Sequence, residues 1–248
     1  MRRFVPTPVV LLAVAAAGIV LLTGCSAKLI YCWTTYDPEI CGGRDKSAAA
    51  SPGDALYVSA SAHSAGALDT SWRSDVEVHN LADEWATYRI WLLEHGADNS
   101  SPEHRELGLA AGASVNLGDV LASEFGTEGL AALVLVPSSG RIIVTSRTFN
   151  QLGEGNELGL PPGSTFGQYI PAHPLGKAIL AGEQGRLIQL SHSDSVDGGF
   201  RTNIGLVNAT DDDLMVDVAL YAATGALLGT LQVVLPPQGY RQLNRVFA

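Results

Sequence analysis

The chain has 248 residues, of which 46% are hydrophobic, and a formal net charge of −10 at pH 7. This length allows one large or two small domains with a sizeable core. The acidic balance opposes binding to phosphate backbones and to anionic lipid, so the sequence excludes nucleic acid as a partner of the protein body.

The N-terminus has the pattern of an export signal. A cationic start, Met1-Arg2-Arg3, precedes an apolar run over residues 9–22 that is short for a membrane span. The run ends in LTGC at residues 22–25, which resembles the lipobox of bacterial lipoproteins. The resemblance implies that residues 1–24 are cleaved and that a covalent lipid on Cys25 anchors the protein to a membrane. We therefore expect a cell-envelope protein, periplasmic or at the cell surface, with no other cofactor.

Residues 25–54 are predicted to form a flexible, lipidated tether. They contain Cys32 and Cys41, and Asp37-Pro38 between them supplies a turn. An exported compartment favours a Cys32–Cys41 disulfide, whereas two thiols alone make a poor metal site. The small residues at 47–53 indicate a flexible end to this segment.

An internal repeat organises the remainder of the chain. WRSDVEVHN at Trp72 aligns with FRTNIGLVN at Phe200 at an offset of 128, and LAAGASVNLGDVL at Leu109 aligns with LPPQGYRQLNRVF at Leu235 at an offset of 126. Both copies alternate apolar and polar residues with a period of two, which is typical of strands with one buried face. The repeat predicts two related units, residues 55–175 and 176–248.

Turn signals separate many short strand candidates, and helix signals are few. One short helix is predicted from Asp119 to Phe125, ended by Gly126, and a second turn over residues 177–181. We therefore predict an all-β fold of two antiparallel immunoglobulin-like β-sandwich units.

The second unit is predicted to be incomplete. After the aligned blocks the first copy continues with GLAALVLV and RIIVTSRTFN, whereas the sequence of the second copy stops at residues 247–248. Either the sequence is truncated or another strand covers an open sheet edge. That strand is expected from the tether, from a second copy of the protein or from a partner.

A family resemblance rests on SWRSDVEVHN, VTSRTFNQ, TFGQYIPA, and FRTNIGLVN followed by LPPQGYRQLNRVF. These segments resemble an uncharacterised group of secreted bacterial β-sandwich repeats, often found beside catalytic domains or alone behind export signals. The resemblance implies a fold and an export route but no reaction.

The sequence contains no recognisable catalytic constellation. GxSxG, HExxH, phosphate-loop and calcium-hand motifs are absent, so we predict neither an enzyme nor a metal site. His63 and His192 precede the repeated strands at similar places and suggest paired ligands, although duplication alone explains their recurrence.

Four residues are weaker candidates for contact with a ligand. Arg73 and Arg201 each follow an aromatic residue and either bind a ligand or pair with acids. Trp85 and Trp91 either form a carbohydrate platform or, for Trp91, pack beneath a loop.

The sequence thus predicts a membrane-anchored extracytoplasmic lipoprotein that acts as a non-catalytic binding or assembly module. Two alternatives are an accessory fragment of a secreted hydrolase and a structural envelope protein completed by strand exchange.

Overall fold

Most of the chain forms antiparallel strands in a computed structural model that describes residues 10–15, 28–32, 49–193 and 202–247. The predicted all-β, antiparallel sandwich fold is confirmed. The strands are β1 (Val10–Ala15), β2 (Lys28–Cys32), β3 (Ala49–Ala50), β4 (Leu56–Ala65), β5 (Thr70–Asn80), β6 (Ala86–Glu94), β7 (His104–Leu109), β8 (Ser114–Leu117), β9 (Gly129–Ser139), β10 (Ile142–Leu152), β11 (Thr165–Pro171), β12 (His173–Pro174), β13 (Ile179–Leu180), β14 (Gln184–Leu190), β15 (Ile204–Asn208), β16 (Leu214–Ala222), β17 (Leu227–Leu235) and β18 (Tyr240–Leu243).

The two helix predictions have different outcomes. Helix α1 (Val120–Phe125) lies where it was predicted, between Asp119 and a left-handed Gly126. The second prediction was wrong in position, because the turn is a 3-10 helix at Leu175–Lys177 and strand β13 follows it. No helix among the described residues is long and apolar enough to cross a membrane.

Strands β3 to β12 form the first sandwich. One sheet has the order β4-β9-β6-β7, and the other places β10 between β5 and β11. Strand β4 also pairs with β5 at Ser64 and Ala65, which joins the two sheets. The core between them is built from alternate residues of the predicted strands, including Val76 on β5, Ile90 on β6 and Leu133 on β9.

Strands β13 to β18, together with β1 and β2, form the second sandwich. Its sheets have the orders β14-β1-β16-β17 and β13-β2-β15-β18. A separate apolar core fills it, including Leu187 on β14, Ile204 on β15 and Val218 on β16. The two aligned copies of the sequence therefore contribute to two separately packed cores.

The two N-terminal strands occupy the places in the second sandwich that β9 and β10 occupy in the first. Strand β9 lies between β4 and β6, and β1 lies between their repeat counterparts β14 and β16. Strand β10 pairs with β5, and β2 pairs with the counterpart β15. Strand β1 lies within the predicted signal peptide, and β2 lies within the predicted tether.

A buried asparagine lies at the same position of each sandwich, and its hydrogen bonds explain why this residue is identical in the two copies of the repeat. The Asn80 side-chain amide donates to the carbonyl oxygens of Glu84, Leu109 and Ala110 at 2.7, 3.1 and 3.0 Å. Asn208 donates in the same way to Asp212, Leu235 and Pro236 at 2.7, 3.2 and 2.9 Å. Each side-chain oxygen accepts from a backbone N–H two residues later. One amide thus ties the end of a strand to two loops in each sandwich.

The two sandwiches pack against each other through a third apolar cluster. Tyr57, Ala132 and Val134 of the first sandwich contact Val207 and Tyr240 of the second. Because β9 is buried on both faces, its sequence is continuously apolar rather than alternating. Burial, and secondarily the charge of Asp211, raise the pKa of the Tyr57 phenol to about 12.

The duplicated asparagines are expected to be stabilising to a similar extent. Asn80→Ala and Asn208→Ala should each lower the free energy of unfolding by about 2–3 kcal/mol, because several buried carbonyl groups lose their donor. Urea unfolding measures this loss. Asn116→Ala, at an exposed position of β8, is the matched control and should change stability by less than about 0.5 kcal/mol. Equal losses of unfolding free energy at all three positions would contradict a structural role for the two buried asparagines.

Acid should weaken the junction between the sandwiches through His173. Its backbone pairs with Tyr57, and burial lowers the pKa of its imidazole below the ordinary 6.5. Below pH 6.5 the unfolded chain therefore gains a proton that the folded chain does not, and stability falls until the lower folded-state pKa is reached. Urea midpoints at pH 7.5 and 5.5 should differ less for His173→Gln than for the wild type. His104→Gln, on exposed β7, should behave as the wild type; an unchanged difference in His173→Gln would refute the assignment.

Candidate binding surface at the tip of the first sandwich

One end of the first sandwich exposes several large apolar side chains. It is formed by the β4–β5 turn, residues 66–69, and the β10–β11 loop, residues 153–164, with the adjoining strand ends. Leu68 is 51% exposed, Trp72 39% and Phe166 52%. We call this surface the apolar tip; its members are Leu68, Trp72, Leu158, Leu160 and Phe166.

Asp69 fixes the turn and the loop of the apolar tip to each other. The N–H of Gly155 donates to Asp69 Oδ2 at 2.6 Å, and the N–H of Gly153 donates to the Asp69 carbonyl oxygen at 2.7 Å. A Cβ at Gly153 would collide with the Asp69 carboxylate, so the close approach requires glycine there. The exposed leucines of the tip are therefore carried by segments that are bonded together.

The β4–β5 turn is built from residues that rarely adopt its conformation. Leu68 has φ 57° and Asp69 has φ 54°, both in the left-handed region that favours glycine. For a leucine this conformation costs about 1–2 kcal/mol. Burial does not offset the cost, because half of the Leu68 side chain is exposed. Strain of this kind is found at sites that present a side chain for function.

The aromatic part of the tip lies on strands. Asn150 on β10 is directly opposite both Trp72 on β5 and Phe166 on β11, so the three side chains lie on one face in a row. Asn150 Nδ2 donates to Thr70 Oγ1 at 3.0 Å, and Thr70 Oγ1 donates to the Ala67 carbonyl oxygen at 2.7 Å. The row is thus linked to the strained turn through Asn150 Nδ2, while Asn150 Oδ1 is buried without a hydrogen-bond partner among the described residues.

A polar cluster lies on the opposite face of β5, centred on Asp119. Its carboxylate accepts from Arg73 Nη1 at 3.0 Å and lies 2.9 Å from His63 Nδ1. The Asp119 N–H donates to Asp75 Oδ1 at 2.8 Å, and Asp119 itself has φ 48°. Of the two predicted roles for Arg73, pairing with an acid is therefore the one found.

The Asp119 cluster orients an imidazole but supplies no nucleophile. A carboxylate only accepts, so His63 Nδ1 carries the proton and Nε2 is the basic nitrogen. Among the described residues no hydroxyl forms a hydrogen bond with His63, and no group of three metal-ligating side chains occurs. His63 and His192 lie in different sandwiches, and the His192 ring contacts Phe247 at 6.3 Å between ring centroids.

The two predicted tryptophans are not brought together. Trp85 is 60% exposed and lies over Gly108, where a Cβ would collide with the indole. Trp91 is six residues further on, which is about 20 Å along a strand. It packs against the cluster between the sandwiches and stacks on His104 at 5.9 Å between ring centroids. A shared platform is therefore not formed.

The remaining predicted site residues lie outside the parts of the chain that the structure describes. These are Cys25, Cys41 and Arg201; Cys32 ends β2, for which the structure describes the backbone. The residues that the sequence analysis missed are Leu68, Leu158, Leu160 and Phe166. A Leu-Asp pair in a tight turn, where glycine is usual, was the available signal for Leu68.

Comparison with known proteins does not assign the chain to a family. No protein-family model matches the chain, and no curated protein matches it. The crystal structure of Thermotoga maritima 1070 superposes with a TM-score of 0.34 and 11% sequence identity. The match covers 48% of this chain and 93% of that one.

Substitutions at Asp119 should separate the contribution of its charge to stability from that of its backbone conformation. Asp119→Asn tolerates the left-handed region but loses the ion pair, so we expect a loss of about 1 kcal/mol, limited by solvent screening of the exposed Arg73. Asp119→Ala adds backbone strain and should lose about 2–3 kcal/mol. Urea unfolding compares them, with exposed Asp213→Ala as the control. Equal losses for the two Asp119 variants would show that the backbone conformation is unimportant.

Proposed function

We propose that this protein is an exported lipoprotein, anchored through Cys25, that binds a protein partner through the apolar tip and performs no chemistry itself. The LTGC sequence supports the anchor. The observation that carries the binding role is the apolar tip, where a strained turn and a bonded loop hold large apolar side chains in solvent.

The composition of the tip favours an apolar protein surface as its ligand. Exposed clusters of large apolar side chains commonly mark protein interaction sites, and aromatic residues are enriched among those that dominate binding. Sugar recognition would need accessible hydrogen-bonding groups. Asn150 Nδ2 is bonded to Thr70 and Asp69 Oδ2 to Gly155, and the unpaired Asn150 Oδ1 is buried. The net charge of −10 disfavours contact with anionic lipid headgroups.

Rigidity of the tip also supports binding. Little side-chain or loop freedom needs to be lost on association when the turn, the loop and the aromatic row are already bonded together. Because the tip belongs to the first sandwich, it is carried by strands that do not involve the segment near Cys25.

A second candidate function is structural: an envelope protein completed by strand exchange. The positions of β1 and β2 within the second sandwich favour it. The two functions use different sandwiches and are compatible in one molecule.

A photocrosslinking amino acid placed in living cells tests the binding role. At the position of Phe166 we expect one discrete protein adduct in the membrane fraction. The adduct should be lost when Trp72→Ser and Leu160→Ser are combined, because the apolar contact area falls. The same crosslinker at Gln232, an exposed polar position of the second sandwich, is the control.

Cys25→Ser tests the anchor in the same cells. The protein should leave the membrane fraction, and the N-terminal peptide should lack the mass of a lipid. Binding would be contradicted if position 166 gave no adduct, gave adducts with lipid alone, or gave the same adducts as position 232. Anchoring would be contradicted if Cys25→Ser remained on the membrane.

A further inference from the structure

The register of β1 against β16 matches that of β9 against β6. Leu133 on β9 lies opposite Val58 on β4 and Leu92 on β6. Leu12 on β1 lies opposite Leu187 on β14 and Leu220 on β16. Leu92 and Leu220 are equivalent positions of the internal repeat, so position 12 corresponds to Leu133, which is completely buried. The groove between β14 and β16 is therefore the position of a central strand in this sheet.

The walls of this groove depend on the strand between them. Among the described strands, β14 is bonded into its sheet only through β1, since the order is β14-β1-β16-β17. Leu187 and Leu190 on one wall and Val218 and Leu220 on the other belong to the buried core. Without a central strand these side chains and two rows of backbone hydrogen-bonding groups would meet water. The groove thus requires an extended, apolar occupant that runs antiparallel to both walls.

The chain can be cut between this strand and the rest of the sandwich. Strand β1 ends at residue 15 and β2 begins at residue 28, so the predicted cleavage before Cys25 falls between them. Cleavage would keep β2 on the chain and leave β1 as a separate peptide. Strand addition at a sheet edge holds a peptide through main-chain bonds, with alternate side chains giving specificity.

A second copy of the chain cannot supply its strand β9 to this groove without loss. Its β9 is buried on both faces, with Leu133 and Leu135 in the first core and Ala132 and Val134 against the second sandwich. Releasing β9 would open two apolar surfaces at once. The chain's own residues 10–15 are already in place, in a register that sets position 12 opposite Leu187 and Leu220.

We propose that the groove between β14 and β16 is a strand-acceptor site whose occupant is the chain's own segment Val10–Ala15. Cutting the chain between β1 and β2 leaves this segment bound without a covalent link, as a strand that can be exchanged for another. The register of β1 against β14 and β16 is sufficient to support the acceptor site. Its conversion to an exchangeable state in the cell rests on the proposed lipoprotein processing.

The experiment uses the full chain with Cys25→Ser and a specific protease site placed within residues 16–27. After cleavage and gel filtration, the N-terminal fragment should co-elute with the body of the protein. A fluorescent peptide of residues 7–18 should then replace it at one peptide per chain. Hydrogen exchange of the β16 amides reports whether the second sandwich is folded.

Two variant peptides test the register. Leu12→Asp places a charge over the core and should weaken binding by at least about tenfold. Leu11→Asp is the matched control, because position 11 lies opposite half-buried Tyr221 on the other face, and should weaken binding by less than about threefold.

Each outcome decides the proposal. Retention followed by exchange supports it, as does loss of β16 protection that the wild-type peptide restores. Release of the fragment from a sandwich that stays protected and binds no peptide overturns it, and so does unfolding that the peptide cannot reverse. Finding a strand of another protein in the groove of membrane-purified protein would overturn the assignment of the occupant. Because Cys25 is replaced, these results do not depend on lipid attachment.

Discussion

Each sandwich depends on a central strand that is hydrogen-bonded to a neighbouring strand along both of its edges. Strand β9 connects β4 to β6 in the first sandwich, and β1 connects β14 to β16 in the second. A strand in this position supplies core side chains and bonds both neighbours, so no other element can compensate for its removal. In the first sandwich this strand belongs to the aligned copy itself, whereas in the second it comes from the distant N-terminus. This difference separates a self-contained unit from one that is completed by a remote segment.

The two copies of the repeat keep residues that form hydrogen bonds with backbone groups, whereas their solvent-facing residues differ. Asn80 and Asn208 are identical because the two N–H groups of each amide contact three backbone carbonyl groups, one of them buried and two partly buried. Arg73, by contrast, is paired with Asp119, while the residue aligned with Asp119 in the second copy is Arg245 and not an acid. The surfaces of the two sandwiches have therefore diverged around a conserved framework. Among the described residues, the Asp119 cluster and the apolar tip lie in the first sandwich.

Local patterns were sufficient to predict the strands and the short helix at Asp119. Period-two alternation is a local property, and Gly126 ends a helix through its own backbone. The pairing of β1 and β2 with the second copy could not be predicted in this way, because strand pairing over such distances leaves no local signature. The residues of β1 also satisfy the pattern of a signal peptide, which gives the same apolar run a different explanation. The apolar tip was missed because the exposure of Leu68 and Phe166 depends on which loops meet in the folded chain. Trp91 is partly buried by packing against the cluster between the sandwiches, which the pattern of its own strand does not show.

The placement of β1 and β2 also fixes an order of assembly. Their partners β14 to β16 are separated from them by more than 150 residues, so closing these contacts carries a large loop entropy and belongs to the slow part of folding. The strands from β3 to β12 all lie within residues 49–174, so this sandwich can pack before β13 to β18 are synthesised. A chain delivered N-terminus first thus presents its earliest segment to a sandwich that is synthesised last, with the first sandwich folding in between. Topology alone makes the second sandwich the late, open intermediate of this protein.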